Sequence, residues 1–264
     1  MAKPVLGRFN APQSLAQLTR GRGWNSELVG FLLPFARQDF LYFEDQFLAD
    51  TLDATYWATA VTAGGAPTAF AQGALEGGSI QGATGTTDNG VSALYFLGTG
   101  VFLDAARRPG MEVRFKIDVV TGLQYEIGFS DAKTDEALPG IADIDAPAAT
   151  NGVTDIAALH LDTDQTLTTL AVGAYGTTDA GANAAIGTFT PTAAAYTKHL
   201  IQAYANAAYG VVNNDPVNLA AGLAVGPDTA KLMRPSLVFR TRNTTSKVVD
   251  VYYVRFWAEN SPDA

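Results

Sequence analysis

Paired carboxylates are the first side chains in this sequence that could do chemistry, because glycoside hydrolases work through two Asp or Glu residues about 5–10 Å apart. The candidates are Glu112, Asp118, Glu126 and Asp131. Glu112 and Asp118 share one face of a predicted strand but lie about 20 Å apart along it. Glu126 is expected to face Lys116, which would lower the pKa of its carboxyl. We interpret that pair as an exposed ion pair and predict no catalytic residue.

Clustered acidic residues could instead bind Ca²⁺, which prefers oxygen ligands. Three clusters occur, at Asp131/Asp135/Glu136, at Asp143/Asp145 and at Asp162/Asp164. None matches the twelve-residue calcium loop, which places Gly at its sixth position and Glu at its twelfth. We interpret these acids as solvated loop residues and predict no metal and no cofactor. Loss of thermal stability in chelator would support the calcium alternative.

Nucleophilic catalysis would need one of the only two histidines, His160 and His199. Each lies in an apolar stretch, with no G-x-S-x-G sequence nearby, and we expect both to be structural. The glycine-rich stretches at 73–78 and 98–103 lack the features of a phosphate loop. The chain has no Cys, which excludes disulfides, thiolate zinc sites and cysteine nucleophiles.

Exposed aromatic rings could stack on sugar rings, and the candidates are Trp57, Tyr95, Tyr175, Tyr209 and Tyr252. The chain contains 3 Trp, 10 Tyr and 14 Phe. Most of so many rings must fill a core, so we favour a core role for them.

Charge divides the chain at residue 38. Residues 1–38 hold five basic residues and one acidic residue, whereas residues 39–264 hold 12 basic and 25 acidic residues. An acidic body argues against a nucleic-acid partner, which needs a positive surface. The longest apolar run, Leu28–Phe35, is well short of the roughly 18–20 residues that cross a bilayer. We therefore predict neither nucleic acid nor membrane as a partner.

Residues 39–264 consist of short strand-like runs between turn clusters, which predicts an all-β sandwich. Met111–Val119 and Leu123–Phe129 each alternate apolar and polar residues. A three-residue loop, Val120–Gly122, predicts that they form a hairpin with Lys116 opposite Glu126, and such a loop favours the left-handed conformation at Gly122. Other predicted strands are Val91–Leu97, Tyr196–Ala205, Ser236–Arg242 and a central strand at Val248–Trp257. Turn clusters at 85–90 and 107–110 predict further hairpins, and 131–155 and 176–183 are predicted loops.

Residues 1–38 are predicted to form an extended basic arm, because Pro and Gly leave room only for a short helix at Ser14–Thr19. Such a segment cannot bury its own apolar residues, so it must cover the body or insert into a neighbouring subunit. We predict two parts, an arm at 1–38 and a sandwich at 39–264. The arm residues expected to bind a partner are Arg8, Phe9, Arg20, Arg22, Trp24, Phe31, Phe35 and Arg37.

Three stretches resemble the concanavalin-like jelly-roll sandwiches. They are MEVRFKIDVVTGLQYEIGFSDA at 111–132, YGVVNNDPV at 209–217 and VDVYYVRFW at 249–257. The resemblance implies an antiparallel jelly roll. Glucanases of that family carry a Glu-x-Asp-x-x-Glu strand, which this sequence does not match, so the resemblance does not extend to hydrolase activity.

The layout also resembles virion structural proteins of tailed bacteriophages. A basic arm is followed by DTLDATYW at Asp50–Trp57 and GATGTTDNGVSALY at Gly82–Tyr95. The resemblance implies a non-enzymatic capsid decoration or cement protein in the virion. Its arm would bind the major capsid protein or neighbouring copies in a homo-oligomer such as a trimer. The alternatives are a carbohydrate-binding module of a tail fibre or lectin and, third, a divergent glycan hydrolase.

Overall fold

The computed structural model describes residues 5–10, 39–73, 78–97, 103–104, 107–141, 143, 150–165, 170–176, 179–185, 189, 191–204, 207–212, 223, 225–228 and 232–259. The regular structure in these ranges consists of strands. Within them, no helix has the length and apolar character needed to cross a membrane. The chain is therefore all-β in its described part, as the sequence predicts.

The strands, in chain order, are β1 (Val5–Asn10), β2 (Asp39–Asp45), β3 (Trp57–Val61), β4 (Thr68–Gln72), β5 (Ile80–Ala83), β6 (Val91–Phe96), β7 (Leu103–Asp104), β8 (Gly110–Ile117), β9 (Leu123–Ser130), β10 (Ile156–Asp162), β11 (Ala171–Gly176), β12 (Asp179–Ala185), β13 (Tyr196–Tyr204), β14 (Ala207–Val212), β15 (Leu232–Thr241) and β16 (Val248–Glu259). Their pairings are all antiparallel.

Two sheets form the sandwich. Sheet A has the order β1-β2-β16-β8-β13-β14, with β5 also paired to β16 and β4 paired to β5. Sheet B has the order β12-β11-β10-β9-β15-β6-β3, with β7 paired to the end of β15. β16 lies between two neighbours, which confirms the prediction of a central strand at Val248–Trp257.

The core lies between the inner faces of the two sheets. Phe115 of sheet A contacts Tyr125 and Phe239 of sheet B, with ring centroids 5.7 and 5.6 Å apart. At the other end of the core, Phe43 stacks on Phe256 at 4.9 Å. Each of these rings comes from an alternating strand, so burial of one face of each sheet is the main source of stability.

The predicted hairpin between β8 and β9 is wrong. β8 pairs with β13 and β16 in sheet A, whereas β9 pairs with β10 and β15 in sheet B. The chain crosses from one sheet to the other at 118–122, where Gly122 has the left-handed φ (61°) that its position predicts. Phe115 and Tyr125 therefore face each other across the core instead of pairing along a ladder.

The remaining sequence predictions concern individual strands, turns and loops, and their outcomes differ. The strands at 91–97, 196–205 and 236–242 are confirmed, and so is the irregular acidic segment 131–155 in its described residues. The turns at 85–90 and 107–110 do not close hairpins, because β5 and β8 lie in sheet A while β6 lies in sheet B and β7 pairs only with β15. The predicted loop at 176–183 is wrong from residue 179 onward, since β12 begins there.

The arm is described only at β1, whose backbone pairs with β2 from Val5↔Glu44 to Asn10↔Asp39. Arg8 and Phe9 lie in this strand. The predicted helix at Ser14–Thr19 lies outside the described residues, and so do the partner-binding predictions at Arg20, Arg22, Trp24, Phe31, Phe35 and Arg37. The division of the chain at residue 38 stays a prediction.

Candidate functional site

Polar side chains meet on the outer face of sheet B, where β9, β10 and β15 run side by side. Gln124 pairs with Asp162 on one side and with Arg240 on the other, and the neighbouring Glu126 pairs with His160. Because alternate residues of a strand share a face, all five side chains point away from the core. We call Gln124, His160, Asp162, Arg240 and Arg242 the sheet B cluster.

A chain of hydrogen bonds orients His160. Arg240 donates from Nη1 to Gln124 Oε1 at 3.1 Å, which turns the amide nitrogen of Gln124 toward the imidazole. That nitrogen lies 3.3 Å from His160 Nε2. Since an amide nitrogen can only donate, Nε2 accepts and the ring proton sits on Nδ1. His160 thus offers an N–H donor at its other edge.

Asp162 and Arg242 form the second half of the cluster. Arg242 Nε lies 3.5 Å from Asp162 Oδ2, an ion-pair distance without the alignment of a hydrogen bond. The guanidinium donates from Nη1 to Asn89 Oδ1 at 3.1 Å, and the other oxygen of Asp162 accepts from the Asp164 N–H at 3.0 Å. Arg242 is half-buried, so this end of the cluster reaches solvent.

Four buried polar atoms of the cluster have no hydrogen-bond partner among the described residues. They are His160 Nδ1, Asp162 Oδ2, Arg240 Nε and Arg242 Nε. Such atoms are uncommon in native proteins, because leaving a buried donor or acceptor unpaired costs about 1–3 kcal/mol. Asp162 Oδ2 and Arg242 Nε already face each other as an ion pair, so the His160 and Arg240 N–H groups are the donors that remain available for a polar ligand, and Asp162 Oδ2 can still accept a hydrogen bond.

Residues 131–155, which we call the acidic loop, cover the neighbouring part of this face with their described portion (131–141, 143 and 150–155). Lys133 Nζ lies 2.9 Å from Glu126 Oε1, and the N–H groups of Gly140 and Ile141 donate to Glu126 Oε2 at 2.9 Å each. Farther along, Glu136 forms an ion pair with Arg234 of β15. Despite its composition, the described part of the loop is thus attached to the sheet rather than freely solvated.

The protein environment shifts the pKa values of Glu126, Asp162 and His160 in different directions. Burial by itself raises the pKa of Glu126, but Lys133, His160 and the backbone donors outweigh it, so this carboxyl has a pKa below its usual value. Burial raises the pKa of Asp162, against the opposing effect of Arg242. Burial lowers the pKa of His160 to about 4, so the imidazole is neutral at neutral pH.

The four carboxylates named from the sequence do not come together in one site. Glu112 lies on the outer face of sheet A, where it accepts hydrogen bonds from Tyr253 Oη and Arg255 at 2.5 Å each. The predicted Lys116–Glu126 pair is wrong, because Lys116 lies 3.2 Å from Asp250 and Glu126 binds Lys133. The carboxylate that does lie near Glu126 is Asp162, a diagonal neighbour across β9 and β10.

Two acidic residues of the calcium alternative, Asp131 and Asp135, bind protein groups. Asp131 accepts hydrogen bonds from Thr154, and Asp135 accepts one from the Ala137 N–H. Across the described ranges, no group of three His, Cys, Asp or Glu side chains could hold a metal ion. His199 lies in the core, 2.6 Å from Tyr125 Oη, whereas His160 belongs to the sheet B cluster.

The five aromatic candidates have different surroundings. Trp57 is a core residue, donating from Nε1 to Asp45 Oδ2 at 2.9 Å. Tyr95 and Tyr175 are half-buried on the sheet B side, and Arg234 lies 4.8 Å above the Tyr95 ring. Tyr209 and Tyr252 are half-buried on the outer face of sheet A. Tyr196, the most exposed ring in the described part of the chain, was not among the aromatic candidates named from the sequence.

Comparison with known proteins identifies the architecture. The fold is a concanavalin-like jelly roll. A protein of unknown function from Shewanella oneidensis MR-1 has a TM-score of 0.54 at 11% identity, covering 92% of this chain and 98% of its own. The Emp47p carbohydrate recognition domain has a TM-score of 0.52 at 13% identity, covering 81% and 93%. A pseudo β-1,3-glucanase of Mycobacterium tuberculosis has 0.51 at 12%, covering 83% and 98%.

At these identities the likeness establishes the jelly roll and no closer relationship. No family model matches the sequence, and no curated protein does. The fold predicted from the three concanavalin-like stretches is confirmed. Nothing in the comparisons links this jelly roll to virion proteins, so the virion location, the capsid partners and the oligomer stay predictions.

The prediction that the chain is not an enzyme is wrong. It rested on the lack of the glucanase strand motif and of a readable catalytic pair. However, several solved structures with this jelly roll are named β-1,3-glucanases or glycosyl hydrolases, among them proteins from Mycobacterium marinum and Mycobacterium fortuitum. Glycan hydrolysis therefore belongs among the candidate functions.

Proposed function

We propose that this chain binds a glycan and that the sheet B cluster binds the hydroxyl groups of the sugar. The four unpartnered polar atoms carry this proposal. A sugar hydroxyl both donates and accepts, so one hydroxyl can receive the His160 Nδ1–H and another can donate to Asp162 Oδ2. The presence of a carbohydrate recognition domain among the proteins with this fold supports the same ligand class.

The ligand approaches from the arginine end of the cluster. Arg240 and Arg242 are half-buried, whereas His160 and Asp162 are fully buried behind them. On the opposite side the acidic loop covers Glu126. A sugar bound at this end would provide hydrogen-bond partners for the two guanidinium groups and also for His160 and Asp162.

A glycan array followed by calorimetry on the best soluble oligosaccharide tests the proposal. Arg240→Gln should weaken binding about tenfold or more, because a hydrogen bond from a charged donor is worth about 1.5–3 kcal/mol. Arg234→Gln is the matched control, since Arg234 lies on the same face of the same strand but outside the cluster. Failure of the wild type to bind any glycan, or equal binding by Arg240→Gln, would overturn the proposal.

Glycan hydrolysis is the second candidate, favoured by one further observation. Glu126 and Asp162 lie diagonally across neighbouring strands, which places their Cβ atoms roughly 7–8 Å apart. Their pKa values are shifted in opposite directions, the pattern by which one carboxylate acts as acid and the other as base. Asp162 would be the acid and Glu126 the ionised partner.

Release of reducing ends from β-1,3-glucan tests the second candidate. Asp162→Asn should abolish the release while leaving sugar binding measurable, and Glu126→Gln should also abolish it. Any turnover that survives both substitutions would exclude this pair of carboxylates. The absence of turnover on the glycans that the array identifies would exclude the reaction and leave the binding proposal intact.

A further inference from the structure

A second cluster lies on the opposite surface of the sandwich, the outer face of sheet A. β8 and β16 pair there with an irregular register, in which Val251 faces Phe115 and Tyr253 faces Arg114. Tyr252 is the extra residue of this bulge. A bulge redirects the side chains of its strand, and here Tyr252 lies beside Arg114, with 5.8 Å between the ring centroid and Arg114 Cζ.

Tyr196 of β13 completes the cluster, which we call the tyrosine–arginine patch (Arg114, Lys116, Tyr196 and Tyr252). The Arg114 guanidinium lies 4.5 Å from the Tyr196 ring centroid, and the Tyr196 and Tyr252 rings meet edge to face at 4.8 Å. Tyr196 is the only aromatic side chain among the described residues that is exposed, at 52%. The patch therefore presents a ring and a guanidinium to solvent.

Glu112 and Asp250, two acidic residues of this face, already have partners. Asp250 accepts from Gln81 at 2.7 Å and lies 3.2 Å from Lys116, and Glu112 accepts from Tyr253 and Arg255. By contrast, Arg114 makes no ion pair with a described residue and is exposed. A positively charged group thus lacks a counterion within the described ranges, on a protein whose formal net charge is −9.

The surroundings of Arg114 add positive potential. Lys198 is its register partner on β13, and Lys116 lies two residues along β8 on the same face. Burial lowers the pKa of Lys198, and the nearby charges of Arg255 and Arg114 lower it further, although Glu112 opposes them. An anion placed at Arg114 would relieve this repulsion among the cations.

We propose that the tyrosine–arginine patch binds an anionic saccharide, one whose sugar ring carries a carboxylate or a sulfate group. The guanidinium lies over Tyr196 and retains N–H donors that match an oxyanion in bidentate geometry. The accessible surface of Tyr196 can pack against the C–H face of the sugar ring. This proposal is independent of the sheet B cluster, since it uses the other sheet and selects for charge.

Direct binding measurements with three oligosaccharides of equal length test the proposal: an oligogalacturonate, a sulfated galactan fragment and a neutral laminari-oligosaccharide. One or both acidic sugars should bind, more weakly as NaCl rises, because screening acts on exposed charges. The comparison of the two acidic sugars identifies which oxyanion the patch prefers. Binding of the neutral sugar with equal affinity would overturn the charge selectivity and with it the proposal.

Variants assign the binding to a face. Arg114→Gln and Tyr196→Ala should each weaken binding of the acidic sugar about tenfold or more. Tyr209→Ala is the matched control, an aromatic residue of the same face that packs against Tyr204 with ring centroids 5.3 Å apart. Both test residues are exposed, so melting temperatures should stay unchanged.

Full binding by Arg114→Gln would overturn the proposal. So would loss of acidic-sugar binding in Arg240→Gln but not in Arg114→Gln, because the ligand would then occupy the sheet B cluster. A third outcome separates the two proposals: no neutral glycan binds, but the acidic sugar binds and its binding depends on Arg114. In that case the glycan site proposed on sheet B is wrong, and the proposal for the tyrosine–arginine patch is supported.

Discussion

The two outer faces of the sandwich carry similar side chains in opposite surroundings. On sheet B, Glu126 pairs with Lys133, which the acidic loop supplies, and the two side chains are 1% and 0% exposed. On sheet A, Lys116 and Asp250 form a pair of the same charges, but the lysine side chain is 25% exposed and no described loop covers it. A covering loop, rather than residue type, therefore decides how deeply a charged pair on an outer face is buried.

The largest effect is expected from breaking the buried pair on sheet B. Glu126→Gln should lower the free energy of unfolding by about 3–5 kcal/mol, because it leaves the Lys133 ammonium buried without its counterion. Urea unfolding measures this change. The double variant Glu126→Gln/Lys133→Met should recover part of the loss, and a loss below about 1 kcal/mol in the single variant would show that the loop does not bury this pair.

The second effect is a pH dependence that only the sheet B face should have. The pKa of His160 is about 4 in the fold against the usual 6.5, so below pH 6.5 the unfolded chain binds a proton that the native protein does not. Stability should therefore fall as the pH drops from 6.5 to 4, by about 1.4 kcal/mol per unit for this residue. The charges around it are Glu126, Asp143, Lys133 and Arg242.

His160→Gln isolates that contribution. Its stability should decline less than that of the wild type over the same pH range, by about 3 kcal/mol in total. Denaturant titrations at several pH values give the two slopes. His199, which lies in the core with a pKa of about 3, stays in both proteins and serves as the internal reference. Parallel slopes would contradict the burial of His160.

A matched pair of glycines gives a smaller effect. A Cβ at Gly128, on the sheet B face, would lie 2.2 Å from the Ala157 carbonyl oxygen, which the β-ladder holds in place. A Cβ at Gly110, on the sheet A face, would instead meet the Trp257 ring at 2.4 Å. Gly128→Ala should cost about 1–3 kcal/mol, and Gly110→Ala less, because a side-chain ring can shift more readily than a backbone carbonyl in a β-ladder. Melting temperatures rank the two, and the reverse order would contradict the comparison.

The smallest effect is expected at the Lys116–Asp250 pair on sheet A, of which only the lysine is partly exposed. Asp250→Asn removes the charge opposite Lys116 and should change the free energy of unfolding by less than about 1 kcal/mol, as for other partly exposed ion pairs. The same urea experiment measures it beside Glu126→Gln. Equal losses of unfolding free energy in Asp250→Asn and Glu126→Gln would contradict the difference in burial between the two faces.

Much of the fold could be predicted from the sequence, because alternation states which face of a strand is buried. Met111, Val113 and Phe115 are buried and Arg114 is exposed, as their spacing predicts. The pairing of β8 with β9 could not be read in the same way. Two consecutive amphipathic strands have the same alternating sequence whether they pair in one sheet or face each other across the core. In both arrangements their apolar side chains are buried in the same core.

Most residues of the sheet B cluster could not be recognised as a site from the sequence, for a related reason. The alternation in 236–242 already placed Arg240 and Arg242 on the polar side of a strand, so a signal for them was present. The signal for His160 and Asp162 was weaker, because they stand in an apolar run and resemble core or loop residues. Only the register of β9 between β10 and β15 brings these side chains to Gln124.

The fold class, the inward and outward faces of most strands and the left-handed turn at Gly122 can all be inferred from local sequence patterns. These properties follow from local side-chain spacing and backbone sterics. Tertiary structure decided which strands are neighbours, that the acidic loop closes over Glu126, and that a bulge brings Tyr252 beside Arg114 and Tyr196. Such contacts join residues far apart in the chain, so they depend on sheet order and register, which a local pattern does not contain.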